Sequence, residues 1–141
     1  MLELPDCRMT SETDCGDAVI HSICGFYGLD EPAALSNAVQ GMSPDTLEAV
    51  LRSLDLKIIS GHLTTDDIRW YNASSRPVIC PITDDDGIGH WVITRGVYRR
   101  YVYLQDPAIG PRRVRLSWWN EHWYDSTRTT EYSNWGLCAW Q

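Results

Sequence analysis

Three side chains of this 141-residue chain, Cys15, His90 and Asp106, have the types and spacing required for nucleophilic catalysis. Cys15 is predicted to lie in the first turn of a helix, where unpaired N–H groups and the positive end of the helix dipole favour a thiolate. Gly16 lets the backbone approach a substrate carbonyl and offers its N–H to a developing oxyanion. For Cys15 taken alone, a buried and inert cysteine is the alternative.

The second half of the chain supplies a base and a group to orient it. His90 begins a strand-like run, HWVIT, and Asp106 ends the next one, YVYLQDP. A hairpin with a tight turn near residues 96–100 brings the two together, so that the carboxylate accepts from the imidazole and fixes its tautomer. The sequence therefore predicts a triad with Cys15 as nucleophile, His90 as base and Asp106 as orienting acid.

The elements that must position this triad follow an α+β order, with helices first and antiparallel strands later. The first predicted helix covers residues 15–27, with Thr13 or Asp14 as its N-cap and Gly28 as its C-cap. Further helices are predicted over residues 31–39 and 65–71. Two more begin after N-caps at Ser43, which Pro44 follows, and at Ser117. Predicted strands cover residues 56–59, 76–82, 90–94, 101–105 and 135–140. The absence of a linker or repeat predicts one domain over residues 1–141.

Charge and cysteine usage exclude several classes of function. A net charge of −7 and a pI near 4.9 disfavour a nucleic-acid or anionic-membrane partner. Five cysteines without a CxxC pair disfavour a disulfide framework and a zinc site, so no metal or cofactor is predicted. The N-terminus lacks a signal-peptide pattern and no apolar run could span a membrane, so we expect a soluble, cytoplasmic protein.

Other conspicuous residues have simpler interpretations. The arginines interrupt strand-like segments and are interpreted as surface residues: Arg95, Arg99, Arg100, Arg112, Arg113 and Arg115. The acidic run 84–87 lacks calcium-loop spacing and predicts a solvated loop, placed to favour basic substrate side chains. His122 is interpreted as a surface residue, with a ligand role at a second site as the alternative. Trp118 and Trp119 are neighbours on a predicted helix, so at least one should be exposed.

Three motifs in order along the chain carry a resemblance to a known family. They are Asp14-Cys15-Gly16-Asp17-Ala18, Gly89-His90-Trp91-Val92-Ile93 and Leu104-Gln105-Asp106-Pro107. They resemble the bacteriocin-processing, double-glycine leader peptidases of the papain-like superfamily, over nearly the whole chain. The resemblance implies a bacterial or phage protein with a papain-like fold, in which N-terminal helices pack on a C-terminal antiparallel sheet. It implies the same triad, and we expect the oxyanion and substrate to be contacted by Gly16, Ser11, Thr10, Gly89 and Trp91.

One position departs from the family pattern. The family carries a glutamine six residues before the nucleophile, whose amide N–H donates to the oxyanion. Met9 stands there in this chain and cannot donate. Loss of one such donor typically costs about 100- to 1,000-fold in rate. Thr10, Ser11 or Arg8 is the candidate replacement.

The functional hypothesis is a cysteine peptidase or amidase that cleaves a peptide or isopeptide-type amide through a thioester. Its partner is a peptide or protein substrate, and related exporter-fused peptidases cut leaders after paired glycines. The lack of a transporter segment favours a free-standing enzyme with a different substrate. The alternatives are a weakened papain-like peptide-binding module, a deamidase or acyltransferase acting on a partner protein, and an interaction protein built on exposed tryptophans.

Overall fold

A computed structural model describes residues 1–11, 14–30, 32, 42–125 and 133–141. It has an α+β architecture in which helices pack on an antiparallel sheet, as predicted. The helices of the described residues are α1 (Cys15–Tyr27), α2 (Pro44–Ser53), α3 (Thr65–Ala73) and α4 (Leu116–His122). The strands are β1 (Lys57–His62), β2 (Val78–Thr83), β3 (Gly89–Tyr98), β4 (Tyr101–Asp106), β5 (Gly110–Arg115) and β6 (Trp135–Trp140).

The six strands form one antiparallel sheet in the order β1-β6-β2-β3-β4-β5. Side chains alternate between its two faces, as the strand repeat requires. On β3, Trp91 and Ile93 join the apolar cluster under α1 and α2, while Val92 joins a second cluster under α3 and α4. Because both faces are covered, β2 is buried along its whole length.

Local capping chemistry explains where the helices begin and end. Gly28 ends α1 in the left-handed conformation, with φ of 67°, as a glycine C-cap should. Ser43 accepts a hydrogen bond from the N–H of Thr46 and Pro44 opens α2, as predicted. Thr64 and Asp67 form a capping box at α3.

Several predicted boundaries were wrong, and one prediction lies outside the described residues. Strand β3 continues through a bulge between Thr94 and Gly96 and ends at Tyr98, four residues beyond the predicted end, while the tight turn falls at Arg99 and Arg100, within the predicted range. Helix α4 begins at Leu116 with Arg115 in the cap position, so Ser117 is inside it. The β1 strand begins one residue later and ends three residues later than predicted, because pairing with β6 extends it to His62. The predicted helix over 31–39 falls almost wholly in residues that the structure does not describe.

Candidate active site

The hairpin of β3 and β4 brings His90 and Asp106 into direct contact. Ile93 pairs with Gln105 across the hairpin, so Asp106 lies beside the beginning of β3. The Nε2 atom of His90 lies 3.2 Å from Oδ2 of Asp106. The other carboxylate oxygen of Asp106 accepts the N–H of Ala108 at 2.9 Å. Asp106 is fully buried and the side chain of His90 is only 10% exposed, so water competes little for this pair.

The charge state of Asp106 sets the tautomer of the histidine. Burial alone would raise the pKa of Asp106, but His90, the N–H of Ala108 and the charge of Arg112 together hold it below its ordinary value. An ionised carboxylate only accepts hydrogen bonds, so Nε2 of His90 must donate. In the neutral imidazole the proton acceptor is then Nδ1.

Cys15 lies at the first position of α1, and α1 packs against β3. Its side chain is buried, with 5% of the residue exposed, and the nearby backbone N–H groups of Trp91, Gly16 and Cys15 itself act to lower the pKa of its thiol. Trp91 is the residue next to His90 on β3. Burial raises the pKa of the Cys15 thiol, and the negative charge of Asp14 raises it further. The N–H groups lower the pKa but do not outweigh burial. The predicted low-pKa thiolate is therefore not what the structure indicates for the resting protein.

Gly16 is placed where a larger residue does not fit. A Cβ added to Gly16 would lie 2.7 Å from Cβ of Met42. Met42 is fixed in turn, because its carbonyl accepts the indole N–H of Trp91 at 2.9 Å. The glycine therefore lets α1 begin against the Met42 segment, with Cys15 beside β3.

The segment before Cys15 is held at both of its ends. The N–H of Met9 donates to the carbonyl of Pro107 at 2.9 Å, directly after Asp106. The carboxylate of Asp14 accepts the Thr10 hydroxyl at 2.7 Å and the N–H groups of Thr10 and Ser11. The Met9 side chain packs against the apolar cluster that contains Cys15. The Thr10 hydroxyl proton is thus already donated, which weakens Thr10 as an oxyanion donor.

The other predicted contact residues divide between the cleft and the core. Gly89 begins β3 and is exposed beside His90. Trp91 is buried against Trp135, with ring centroids 5.9 Å apart, and it is the backbone N–H of Trp91 that acts on the pKa of Cys15.

Sequence reasoning missed Arg112, which it placed on the surface with the other arginines. The Nε atom of Arg112 lies 3.1 Å from Oδ2 of Asp106, and its side chain is only 25% exposed. Its place after the Asp-Pro motif and a glycine turn indicates a strand that returns along β4, but it does not indicate which face of that strand Arg112 occupies. Arg95 was also misjudged, since it is half-buried and its Nε donates to the carbonyl of Leu2.

The acidic loop before His90 is tied to α4. Asp85 accepts the indole N–H of Trp118 at 3.1 Å and lies 3.0 Å from Nε2 of His122. The rings of Trp118 and His122 stack at 4.0 Å. His122 is thus half-buried and partnered, contrary to the surface interpretation, whereas Trp119 is fully buried and Trp118 partly exposed, as the helix spacing predicts. Among the residues that the structure describes, no cluster of three or more metal-ligating side chains is present.

Comparison with known proteins identifies the family. The sequence profile of the Peptidase C39 family matches residues 5–131. The chain belongs to the Peptidase C39 family. Membership makes it a cysteine peptidase, and the double-glycine leader peptidase resemblance is confirmed.

Solved C39 domains have the same fold. One similar structure is a double glycine motif protease from an AMS/PCAT transporter in complex with the leader peptide, at 14% identity and a TM-score of 0.75, with 99% of this chain and 93% of that chain covered. Another is the peptidase domain of Streptococcus mutans ComA, at 14% identity and a TM-score of 0.72, with 96% and 98% covered. No curated protein sequence matches the chain. Within its described ranges, this C39 domain contains no helix of the length and apolar character needed to cross a bilayer.

Proposed function

We propose that this cysteine peptidase cleaves its substrate through Cys15, His90 and Asp106, by way of a thioester. The observation that supports the proposal is the buried His90–Asp106 contact, which leaves Nδ1 of His90 as the proton acceptor, while Cys15 begins a helix that packs against the strand of His90.

The reaction follows from these positions. Nδ1 of His90 accepts the thiol proton as Sγ of Cys15 attacks the substrate carbonyl carbon. The negative charge that develops on the carbonyl oxygen is met by backbone N–H groups at the start of α1. The C–N bond then breaks, the leaving amine takes the proton from Nδ1, and a thioester remains on Cys15. Water attacks the thioester, gives its proton to Nδ1, and releases the acid while the thiol re-forms.

The raised pKa of Cys15 bears on how the nucleophile is activated. A thiol that burial keeps protonated needs a base at the moment of attack, whereas a preformed thiolate does not. His90 therefore acts as a true general base in this proposal. The thiolate and imidazolium form together when a substrate occupies the cleft.

The first substrate class to test is a leader-type peptide with paired glycines before the scissile bond. The protease from the AMS/PCAT transporter is described in complex with its leader peptide, and the fold of the present chain matches it over 99% of its length. Paired glycines lack side chains, so they suit a site where Met42 and Trp91 lie close to the nucleophile.

The test is cleavage of a quenched-fluorescent peptide with paired glycines at its centre. We expect the wild type to cut after the second glycine and Cys15→Ala and His90→Ala to lose nearly all activity. Alkylation mapped by mass spectrometry should show that His90→Ala slows modification of Cys15 near neutral pH, with partly exposed Cys7 as internal reference. Equal cleavage by wild type and Cys15→Ala would refute the proposed nucleophile.

Met9 favours one second candidate, a peptide-binding module on the same fold. An apolar side chain at the position of the family's oxyanion donor lowers the transition-state stabilisation without closing the cleft. In that case the wild type binds the paired-glycine peptide with the same affinity as Cys15→Ala, and neither cleaves it.

A further inference from the structure

The fully buried carboxylate of Asp106 has more neighbours than a catalytic histidine alone. The Nε2 atom of His90 lies 3.2 Å from Oδ2 and the Nε atom of Arg112 lies 3.1 Å from it. The other oxygen, Oδ1, accepts a hydrogen bond from the N–H of Ala108. A neutral imidazole gives this carboxylate a hydrogen bond but no charge. The guanidinium of Arg112 adds a permanent positive charge in direct contact with it.

The geometry of the Arg112 contact distinguishes it from an ordinary hydrogen bond. Nε of Arg112 is buried and has no aligned hydrogen-bond acceptor in the described part of the chain, although Oδ2 of Asp106 is 3.1 Å away. The contact is thus a charge pair and not a hydrogen bond, so Arg112 does not replace His90 as the hydrogen-bond donor to Oδ2. Arg8 also acts on Asp106 electrostatically, but it is exposed and paired with Asp6.

The register of β5 places Arg112 near Asp106. Asp106 pairs across the β4–β5 ladder with Gly110, and Arg112 lies two residues further on the same face. The space that a Cβ at Gly110 would fill is occupied by the guanidinium of Arg8, so the Arg112 side chain reaches the carboxylate from its own position on β5.

A second set of contacts holds the guanidinium from the other side. Its central carbon lies 5.3 Å from the ring centroid of Trp118. Trp118 is itself fixed, because His122 stacks on it and Asp85 accepts its indole N–H. Contacts with α4 and the acidic loop thus hold the guanidinium of Arg112 beside Asp106. A solvated surface arginine has no such contacts.

From these contacts we infer that Arg112 is a positioning residue of the active site, which keeps Asp106 ionised and oriented so that His90 stays in the tautomer that accepts the Cys15 proton. The inference rests on the proposed function of the triad. Arg112 touches neither the nucleophile nor the substrate in this role and acts only through Asp106.

The test compares Arg112→Met with Arg112→Lys, and with Arg113→Met as the matched control. Arg113 is the next residue of β5, and its guanidinium lies over Tyr101 at 4.2 Å, on the opposite side of the strand. For the paired-glycine peptide we expect Arg112→Met to lower kcat about 10- to 100-fold with KM unchanged, as is usual when a group that orients an active-site residue is removed. Arg112→Lys should recover most of the rate, because Nζ of lysine reaches one bond beyond the position of Nε. Arg113→Met should behave as the wild type.

A double-mutant cycle separates positioning from general structural damage. In an Asp106→Asn background the Arg112→Met change should lower kcat no further, because its route to His90 has been removed. Unchanged kcat in Arg112→Met, or an equal loss in both backgrounds, would overturn the inference. If Arg112→Met does not fold, Arg112→Gln removes the charge and keeps a polar side chain.

Nitrogen NMR of the His90 imidazole keeps this test independent of turnover. Wild type should show a single tautomer protonated on Nε2, and Arg112→Met a mixture. An unchanged tautomer in the variant would contradict the role of Arg112 whether or not the peptide is cleaved. Wild type as inactive as Cys15→Ala, with the tautomer shift present, would refute the proposed peptidase mechanism and leave the Arg112 inference standing.

Discussion

Replacing Met9 with glutamine should increase the activity of this enzyme. The resemblance to the leader peptidases implies an amide donor at this position, six residues before Cys15. The backbone of residue 9 is already fixed by its hydrogen bond to the carbonyl of Pro107 at 2.9 Å. Methionine and glutamine have the same number of side-chain torsions and similar rotamer entropy, so the substitution adds little ordering cost.

The size of the gain can be bounded. One oxyanion-hole donor is worth about 100- to 1,000-fold in kcat. An amide on a segment not shaped for it should recover only part of this, and we expect a rise of about 10-fold or more. The Met9 side chain packs on the apolar cluster around Cys15, so partial burial of an amide there should cost roughly 0.5–2 kcal/mol of folding stability.

The assay is steady-state cleavage of the paired-glycine peptide, with Met9→Leu as the control that keeps the apolar volume. The gain should fall on kcat with KM nearly constant, because the donor acts on charge that exists only in the transition state. A folded Met9→Gln protein with the kcat of Met9→Leu would refute the reasoning. It would mean that position 9 does not face the oxyanion.

Four further changes test other parts of the site and fold. Asp106→Asn should lower kcat by about 10,000-fold, because an amide at this position favours the wrong histidine tautomer, and steady-state kinetics with a circular dichroism check measures it. Cys138→Ala should lessen the loss of stability at alkaline pH. Burial raises the pKa of Cys138 to about 12, so the native state keeps a proton that the unfolded thiol releases. This thiol then costs about 1.4 kcal/mol per pH unit above about pH 8.5, and urea unfolding of wild type and variant at two alkaline pH values should differ in slope. Gly16→Ala should destabilise the fold by about 1–3 kcal/mol, because its Cβ meets Met42, and a thermal midpoint equal to wild type would contradict the close contact. Thr64→Ala should remove about 1 kcal/mol by breaking the capping box of α3 while kcat stays constant, which denaturant unfolding and kinetics together would show.

The boundaries of α1, the start of α2 and the pairing of β3 with β4 were predictable because their signals are local. Gly28 ends α1 because only a residue tolerant of positive φ fits there, and Pro44 after Ser43 marks the start of α2. The contact of His90 with Asp106 followed from pairing two adjacent strands, which needs only a short turn. These inferences depend on neighbours in sequence and not on the packing of distant elements.

The position of Arg112 was not predictable in the same way. Whether a strand residue faces solvent or a catalytic group depends on the register of β5 against β4 and on what covers that face. The register places Gly110 opposite Asp106, and α4 brings Trp118 over the guanidinium. Neither fact can be obtained from a run of arginines, whose composition alone favours a solvated surface.

Cys15 shows how two correct local principles can oppose one another. The helix start does supply N–H groups to the sulfur, as the sequence predicted, but the Met42 segment and β3 bury it, and burial prevails in setting the direction of the pKa. Burial depends on tertiary packing. A sequence pattern that places a cysteine at a helix start therefore predicts the effect of the N–H groups on the pKa but not the effect of burial. In the proposed mechanism, a Cys15 thiol whose pKa is raised by burial depends for its reactivity on His90 as proton acceptor. It therefore depends on Asp106 and on every group that keeps Asp106 charged.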